Sequence, residues 1–421
     1  EAPCVAGKEC EFRTDKTCYY FRQVAQSKFA NVVVANYAYG LAMMNYAGMA
    51  LGKFDVIVSD EGHILDQQLE EFLALKISKR RFDELFSRIR LPNFESVKDW
   101  STWAKDNFDF LKKALDPFED LSPDMMSSRE IRDKDTVESY LSIFASLGTL
   151  GKDWVVEENA NSFTFQPVWV TEDSKDILFN YATRHIIMSG TIPSPIHLGK
   201  KVGLKPEEFE FLRLPMLFPV ENRRILIQPK VNLSYEYKKT HPDALSDLVD
   251  VIDKILERSG RFLPIKNTNN QKKILIHTIT YDIAKFLFHE SDFRDLMITH
   301  ETRDRAAKLE EFKNSAAPRI LVSPSMDKAV DLPGEECELI IVCKLPFLYL
   351  GSKVMKERVR QDGGYYAHET LMNLIQMVGR GNRQESDVTT SIVLDVLAPR
   401  FLRQKVRKMI PQGIKEALVY Q

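Results

Sequence analysis

The sequence predicts an α/β protein with parallel sheets, interrupted in its first half by a helical insertion. In the second half, short apolar runs of strand length alternate with helical stretches, and this alternation is typical of a parallel sheet. In the first half, apolar residues recur at helical spacing over residues 65–150. A chain of 421 residues is long enough for two or three domains.

The composition is that of a globular protein. Hydrophobic residues make up 44% of the chain and charged residues 28%, which excludes a disordered chain. No uncharged apolar run reaches about 18 residues, so a transmembrane helix is excluded as well. The 58 basic and 60 acidic residues give a net charge of −2. This balance disfavours binding to nucleic acid by bulk charge but is compatible with a local basic groove.

The first elements in chain order are a cysteine cluster and two strands. Cys4, Cys10 and Cys18 lie within the first eighteen residues, and three thiols suit neither closed disulfides nor a four-ligand metal site. We therefore expect the chain to begin inside a larger unit. Short β-branched runs predict strands at residues 31–35 and 54–59.

The helical insertion ends in a predicted hairpin. Two aromatic and β-branched runs flank an Asn-rich turn over residues 153–170, and a further strand is predicted at residues 185–188. A second α/β block then runs from residue 218 to residue 421. Its strands are predicted near residue 224 and at residues 273–277, 319–323, 339–342 and 391–395.

Four residues, Asp60-Glu61-Gly62-His63, directly follow the predicted strand 54–59. Catalytic groups of open parallel sheets lie at the carboxyl ends of strands. One carboxylate there can hold Mg²⁺, and its neighbour can orient or deprotonate the water that attacks a phosphate. Taken alone, the motif is equally compatible with a solvated turn.

A second motif, Q-M-V-G-R-G-N-R at residues 376–383, is more specific. On a helix, Gln376, Arg380 and Arg383 share one face, and guanidinium groups can stabilise the charge that builds on a transferring phosphate. The alternative is a surface helix with scattered salt bridges. Gly379 and Gly381 disfavour it, because glycine is costly in an ordinary helix.

These motifs resemble those of the superfamily 2 DNA helicases of the XPD/DinG type. D-E-G-H resembles the family's DEAH box (motif II), with Gly62 in place of alanine, and residues 376–383 resemble motif VI, Q-x-x-G-R-x-x-R. Ser189-Gly190-Thr191 resembles motif III. The other landmarks are a motif V-like stretch at 323–334, with Ala329 where the family usually has glycine, F-P-V-E-N-R at 218–223, K-L-P-F at 344–347 and Tyr365-Tyr366.

The resemblance spans nearly the whole chain and implies its domain organisation. It implies two RecA-like P-loop NTPase motor domains, with the first incomplete at its N-terminus, a helical arch-like insertion and an iron–sulfur-type cysteine insertion. The boundaries are 1–30 for the partial iron–sulfur region, 31–64 and 166–217 for the first motor domain, 65–165 for the arch-like insertion and 218–421 for the second motor domain.

The resemblance also implies ATP and Mg²⁺ as cofactors and assigns roles by motif position. Asp60 and Glu61 would bind Mg²⁺ and activate water, while His63, Ser189 and Thr191 would couple the nucleotide state to strand movement. Ser189 and Thr191 could instead merely cap a turn. The residues expected at the nucleotide in the cleft between the motor domains are Gln376, Gly379, Arg380, Arg383 and, near the ribose and phosphates, Asp331.

For the cysteines, the resemblance implies a [4Fe–4S] cluster. Cys4, Cys10 and Cys18 stand where the family has its last three ligands, and thiolates are the ligands that such clusters require. The fourth ligand would lie upstream of residue 1. Three ordinary thiols and a zinc site are the alternatives, and Cys337 and Cys343 are expected to be small buried residues.

No phosphate-binding loop G-x-x-x-x-G-K-[ST] (Walker A) occurs in the sequence. The family has this loop before its first cluster cysteine, so we expect it on an upstream segment, and without that segment we expect no ATP hydrolysis. An upstream polypeptide carrying Walker A is therefore an expected partner. The alternatives are an ATPase-inactive DNA-binding or scaffold chain and one half of a split helicase.

The resemblance further implies translocation 5′ to 3′ on single-stranded DNA and unwinding of duplex or fork DNA, with contacts mainly to the phosphates. An RNA-directed helicase remains the second alternative. Basic stretches at 76–90 and 400–415 could add to the grip, although a solvated helix face is favoured for the first. We expect a cytoplasmic, nucleoid-associated or nuclear protein that is neither secreted nor in a membrane. The expected DNA contacts are Asn36, Tyr37, His277, Thr278, Tyr281, Thr299 and Arg303.

Overall fold

A computed structural model of the chain describes residues 10–46, 51–86, 88–119, 121–122, 125–262, 273–325 and 332–421. The chain divides into two compact units. The first comprises Glu1–Gly190, Ile196–Phe209 and Tyr349–Asp362, and the second comprises Thr191–Pro195, Glu210–Leu348 and Gly363–Gln421. Among the described helices, none combines the length and the apolar character needed to cross a bilayer.

The strands of the described residues form three sheets. They are β1 (Phe54–Ser59), β2 (Leu75–Ser78), β3 (Trp154–Glu158), β4 (Ser162–Pro167), β5 (Ala182–Ile187), β6 (Ile225–Val231), β7 (Lys273–His277), β8 (Met297–Thr299), β9 (Arg319–Ser323), β10 (Leu339–Val342), β11 (Thr390–Asp395) and β12 (Leu418–Tyr420).

The helices of the described residues include several single turns. They are α1 (Glu11–Thr14), α2 (Tyr19–Ser27), α3 (Tyr37–Asn45), α4 (Leu65–Leu73), α5 (Lys79–Leu85), α6 (Val97–Lys112), α7 (Asp116–Glu119), α8 (Ser128–Thr149), α9 (Ser174–Ile177), α10 (Pro195–Lys201), α11 (Tyr235–Thr240), α12 (Ala244–Phe262), α13 (Tyr281–Glu290), α14 (Arg305–Asn314), α15 (Lys353–Gln361), α16 (Tyr365–Val378), α17 (Ala398–Arg400) and α18 (Gln412–Ala417).

The second unit is built on a seven-stranded sheet in the order β12-β6-β11-β10-β7-β9-β8. Every neighbouring pair is parallel, which confirms the predicted α/β class with a parallel sheet. Its central strands are buried on both faces, because α16 covers one face and α12 and α13 cover the other. Such strands appear in the sequence as continuous β-branched runs, so the pattern located β7, β9 and β10 to the residue.

The first unit contains a parallel pair, β1 and β5, and an antiparallel sheet in the order β2-β4-β3. β3 and β4 form a hairpin within residues 153–170. α6 and α8 pack on this sheet, and Trp100 is the centre of the contact. Its ring centroid lies 4.8 Å from that of Phe163 and 5.1 Å from that of Phe165. The arch-like segment is therefore a helical layer on a small sheet.

Helix α15 packs in the first unit although its sequence lies in the C-terminal half. The guanidinium Nη2 of Arg358 lies 2.6 Å from Glu70 Oε2 on α4, and its Nε donates to the Val168 carbonyl at 2.6 Å. The guanidinium also lies 5.3 Å from the ring centre of Trp169. A buried ion pair of this kind costs much when one partner is removed, so Arg358 fixes α15 to the helix that follows the D-E-G-H motif.

The strand predicted at residues 31–35 is wrong. These residues form no strand pairing with another described residue, and the side chain of Val34 is 92% exposed. β-Branched composition favours an extended backbone, but a strand also requires a neighbour to pair with. The run is followed directly by α3, whose N-cap is Asn36.

Candidate functional site

The D-E-G-H motif lies at the carboxyl end of β1. The carboxylate of Asp60 accepts a hydrogen bond from the Glu61 backbone N–H at 2.8 Å. Glu61 adopts a left-handed backbone with φ 49° and ψ 39°, which is uncommon for a residue other than glycine and recurs at functional sites. Both carboxylates are exposed. Carboxylate oxygens are the ligands that Mg²⁺ prefers, so the two side chains fit the metal role expected of them.

The motif II glutamate and histidine lie against the motif III serine. His63 Nδ1 lies 2.8 Å from Ser189 Oγ and 3.2 Å from Glu61 Oε2, and Ser189 Oγ lies 3.5 Å from the same carboxylate oxygen. His63 is buried whereas Glu61 is exposed. The buried ring of His63 therefore contacts both the exposed carboxylate of Glu61 and the hydroxyl of Ser189.

Gly62 allows the two strands to approach each other at this point. Its N–H donates to the Met188 carbonyl at 2.8 Å, and a Cβ atom at this position would lie 2.2 Å from Cγ2 of Ile187. That distance is far below the roughly 3.5–4.0 Å of carbon–carbon contact. The chain thus has glycine where the family's DEAH box has alanine because Ile187 occupies the space of the methyl group.

Asn36 and Tyr37 lie at the start of α3, beside motif II. The side chain of Asn36 caps the helix by accepting a hydrogen bond from the Tyr39 N–H at 2.8 Å. The Tyr37 hydroxyl donates to the Asp60 carbonyl at 2.6 Å, and burial raises the pKa of this hydroxyl. The two residues are therefore held in place relative to Asp60.

Motif VI forms the end of α16 and the loop after it. Arg380 Nη2 donates to Gln376 Oε1 at 2.8 Å, and Gln376 Nε2 donates to the hydroxyl of Thr191, which belongs to the same unit. Arg380 is 5% exposed, whereas Arg383 is exposed. Of the two arginines expected at the nucleotide, Arg380 is therefore buried and hydrogen-bonded, whereas Arg383 faces solvent.

Asp387, which the sequence reasoning missed, shapes the loop that carries Arg383. Its Oδ2 accepts hydrogen bonds from the backbone N–H groups of Arg383 and Gln384, both at 2.8 Å. The backbone carbonyl of Asn222 accepts from Asn382 Nδ2 at 3.1 Å. An aspartate four residues after Arg383 was the only local signal of this role, since aspartate side chains commonly bond nearby backbone N–H groups.

The candidate DNA contacts of the second unit follow three adjacent strands, β7, β9 and β8. The Thr278 N–H donates to the Ser323 carbonyl at 3.0 Å, and His300 Nε2 lies 2.6 Å from Ser323 Oγ. The Tyr281 and Thr302 hydroxyls lie 3.0 Å apart. Hydrogen bonds thus join the motif IV-like stretch, the start of the motif V-like stretch and the turn that carries Arg303.

The expected contacts differ in whether their side chains reach the surface. His277 and Thr278 are fully buried, at 0% exposure. Burial, with a second contribution from the charge of Arg380, lowers the pKa of His277 to about 3, so its ring is neutral at pH 7. Arg303 is exposed and Tyr281 and Thr299 are half-buried. A strand on this surface would meet these three side chains and only the backbone of the other two.

Comparisons with known proteins agree with this arrangement. Residues 267–417 match the family model described as "Helicase C-terminal domain". A protein of Methanocaldococcus jannaschii, "Probable ATP-dependent helicase MJ0942", is 24% identical over 65% of this chain and 43% of its own length. "ATP-dependent DNA helicase YoaA" of Haemophilus influenzae is 19% identical over 90% of this chain and 66% of its own length. The chain thus spans 43% and 66% of these two relatives.

The fold of the chain is also found in solved structures. A structure titled "XPD_Helicase" covers 98% of this chain and matches 77% of its own chain, with a TM-score of 0.61 and 14% identity. "Structure of S. tokodaii Xpd4" covers 87% of this chain and matches 75% of its own, with a TM-score of 0.54 and 14% identity. The helicase C-terminal domain match and the XPD-like fold both support the resemblance to the XPD/DinG-type superfamily 2 helicases. The RecA-like fold class of the chain is that of the XPD structures.

Two of the three cysteines that we expect to bind an iron–sulfur cluster, Cys10 and Cys18, lie within the described residues. Cys10 is buried and Cys18 is half-buried, and both are free thiols. The Cys18 N–H donates to the Phe12 carbonyl at 2.8 Å, so Cys18 is bonded to the helix α1 that directly follows Cys10. Soft thiolate donors fit an iron–sulfur cluster chemically. Cys4 and the motif V residue Asp331 lie outside the described residues.

Three of the six basic residues in the first basic stretch, residues 76–90, form salt bridges with carboxylates. Lys79 Nζ lies 2.5 Å from Glu158 Oε1, Arg80 Nε lies 2.9 Å from Glu84 Oε1, and Arg81 pairs with Asp133. Basic side chains that pair with carboxylates have little charge left for phosphates. This stretch fits the favoured interpretation of a solvated helix face.

Proposed function

We propose that this chain is the C-terminal part of an ATP-dependent DNA helicase that translocates 5′ to 3′ on single-stranded DNA and unwinds duplex or fork DNA. The observation that carries the proposal is the contact of Glu61, His63 and Ser189 in the first unit. If ATP hydrolysis at Glu61 drives movement along DNA, the carboxylate must contact another part of the protein. The contact with Ser189 of motif III provides this connection. An isolated solvated turn would not need a buried histidine behind it.

In the proposed reaction, Glu61 orients the attacking water and accepts its proton, as a carboxylate does in phosphoryl transfer. Asp60 is the proposed ligand of Mg²⁺, which neutralises charge on the phosphates. Arg383 is the proposed arginine finger, because it is exposed while Asp387 fixes its backbone. Arg380 orients Gln376 through their 2.8 Å hydrogen bond. Asp331 is the proposed contact to the ribose and phosphates.

The β1–β5 sheet supports an upstream polypeptide as a partner. Parallel strands are normally covered on both faces, yet Val56 is 42%, Val58 55% and Ile186 53% exposed. We propose that a polypeptide carrying Walker A covers this sheet and supplies the phosphate loop. On this proposal the chain hydrolyses ATP only when that polypeptide is present.

A malachite-green assay of phosphate release with single-stranded DNA tests the proposal. We expect no turnover from this chain alone, and DNA-stimulated turnover when the upstream polypeptide is added. Turnover by the chain alone would refute the requirement for a partner. No turnover in either preparation, together with retained DNA binding, would instead support an ATPase-inactive scaffold. Stimulation by RNA homopolymers but not by DNA would support an RNA-directed helicase.

We also propose that Cys4, Cys10 and Cys18, with a fourth cysteine from the upstream polypeptide, hold a [4Fe–4S] cluster. The two described thiols are free and lie on either side of one short turn. An anaerobic preparation with the upstream segment should be brown and should bleach on oxidation. A colourless preparation with bound zinc would refute this ligand assignment. On this proposal the protein acts where DNA is, in the cytoplasm, the nucleoid or the nucleus.

A further inference from the structure

The second unit carries a basic ridge, which we define as Arg400, Arg403, Lys405, Arg407 and Lys408. No aspartate or glutamate occurs between Asp395 and Glu416, so five positive charges fall within nine residues. All five side chains are exposed. The whole chain has a net charge of −2, so this density of positive charge is a local property.

Buried apolar residues hold the backbone of the basic ridge in place. Phe401, Leu402 and Val406 are buried in the core of the second unit, and the Val406 N–H donates to the Phe401 carbonyl at 3.1 Å. This i to i+5 bond makes a π-helical turn, a form that is common at functional sites. Because the apolar residues point into the core, the basic residues between them point outward. Binding a ligand there would require little ordering of the backbone.

Within the described part of the chain, no carboxylate forms a salt bridge with any of the five ridge residues. The next acid in the sequence, Glu416, lies 3.5 Å from Arg223 instead. The guanidinium of Arg403 lies 3.9 Å from the ring centre of Tyr420, which orients the group without neutralising it. Residues 76–90 show the opposite pattern, since Lys79, Arg80 and Arg81 pair with carboxylates.

The ridge begins at the sheet edge that carries the candidate DNA contacts. All strands of the sheet are parallel, so their carboxyl ends lie on one edge. α17 follows the end of β11, and Tyr281 follows β7, two strands away or about 10 Å at the usual strand spacing. Lys344 follows β10 between them. Lys344 and Arg400 therefore lie near the carboxyl ends of neighbouring strands, on the side of the sheet that carries Tyr281.

We propose that the basic ridge binds the phosphates of the single-stranded DNA on which the helicase acts, and extends the contact surface along the carboxyl edge of the sheet from Tyr281 and Arg303. The inference rests on the proposed function and adds a binding surface to it. Phosphate contacts of this kind give affinity without base specificity. A translocating enzyme needs this property, because it meets every sequence in turn.

The test measures binding of a fluorescein-labelled oligothymidylate by this chain over a series of salt concentrations. The ridge variant is Lys405→Gln/Arg407→Gln/Lys408→Gln, which leaves Arg403 on Tyr420. Binding to single strands weakens with a log–log salt slope of about 0.7 for each phosphate contact. The loss of three contacts should therefore reduce the slope by about 2.

A matched control removes three positive charges elsewhere in the same unit. Lys254→Gln/Arg294→Gln/Lys313→Gln changes the net charge equally, and these residues lie on α12, before β8 and on α14, away from the carboxyl edge. The control should keep the slope of the unmodified chain. Circular dichroism melts of both variants should match that of the unmodified chain, because none of the three ridge side chains is buried.

The possible results distinguish failure of the ridge proposal from failure of the proposed function. If the unmodified chain binds the oligonucleotide and the ridge variant binds with the same affinity and slope, the ridge is not a DNA surface. If the control variant shows the same decrease in affinity and slope, the effect comes from net charge alone, and the inference is wrong. If the unmodified chain itself binds neither DNA nor an RNA homopolymer, the proposed function fails, and the ridge proposal fails with it.

Discussion

Gly62→Ala should distort the D-E-G-H motif although it adds a single methyl group. The added Cβ would lie 2.2 Å from Cγ2 of Ile187 and 3.3 Å from the Met188 carbonyl oxygen. Ile187 cannot move Cγ2 away easily, because the branch is attached directly to Cβ and β-branched side chains are stiff at χ1. Relief of roughly 1.5 Å, to reach carbon–carbon contact distance, must therefore come from the loop or from the strand.

Two opposing contributions determine how Gly62→Ala changes the free energy of unfolding. Overpacking costs about 1–3 kcal/mol, while replacing glycine by alanine at a compatible backbone gains about 0.4–1 kcal/mol through the unfolded chain. Gly62 is not among the glycines with positive φ, so the gain applies. We expect a net loss of about 0–2.6 kcal/mol in the free energy of unfolding of the first unit. A misplacement of about 1 Å at Glu61 would lower ATP turnover by about 100-fold.

Tryptophan fluorescence during urea unfolding measures this loss in the first unit alone. The chain has four tryptophans, and Trp100, Trp103, Trp154 and Trp169 all lie in that unit. The control is Ile187→Leu, which keeps the side-chain volume and removes the branch at Cβ. Gly62→Ala should cost clearly less in the Ile187→Leu background than in the unmodified chain, which gives a double-mutant coupling energy.

The reasoning would be refuted by either of two results. One is a Gly62→Ala chain that is as stable as the unmodified chain and as active in the complemented ATPase assay. The other is a destabilisation that is the same with isoleucine and with leucine at position 187. In that case the cost would come from the backbone and not from the contact with Cγ2.

Four further single substitutions and one double variant have clear expectations. Glu61→Gln and Arg383→Ala should abolish ATP turnover and leave DNA binding intact, and an equal loss of binding would indicate misfolding. Arg358→Met should destabilise the first unit by up to about 3–5 kcal/mol because it leaves the half-buried carboxylate of Glu70 without this partner, and Glu70→Met/Arg358→Met should restore most of the urea midpoint. His277 has a folded pKa of about 3, below its unfolded value of about 6.5. The stability from its neutral form is therefore present above pH 6.5 and lost as the pH falls towards 3, by about 1.4 kcal/mol per unit, and His277→Gln should flatten that part of the stability profile.

The fold could be predicted wherever burial alone decides the pattern. β7, β9 and β10 were located to the residue because both faces of each strand are covered. β2, β8 and β12 were missed, since a three- or four-residue strand has too few alternations to register. Residues 31–35 have the composition of a strand but no partner among the described residues. Pairing is a tertiary property, and local composition does not contain it.

The site could be predicted only as far as motifs name its residues. Arg358 lies in K-V-M-K-E-R-V-R-Q, which has the composition of a solvated helix, yet it is 2% exposed. Its role depends on Glu70, which is 288 residues away in the sequence. The same holds for Asp387, whose two backbone partners are fixed by loop geometry. Sequence patterns report periodic burial well, but they do not report which distant carboxylate a buried guanidinium meets.

Motif III shows why two short hydroxyl side chains must be two residues apart. Ser189 belongs to the first unit and lies 2.8 Å from His63, whereas Thr191 belongs to the second unit and accepts a hydrogen bond from Gln376. Gly190 separates them, and a Cβ atom there would meet nothing within 4 Å. Glycine is therefore not required by space at this position. Ser189 is bonded to motif II in the first unit and Thr191 to motif VI in the second, so a different motif holds the hydroxyl on each side of Gly190.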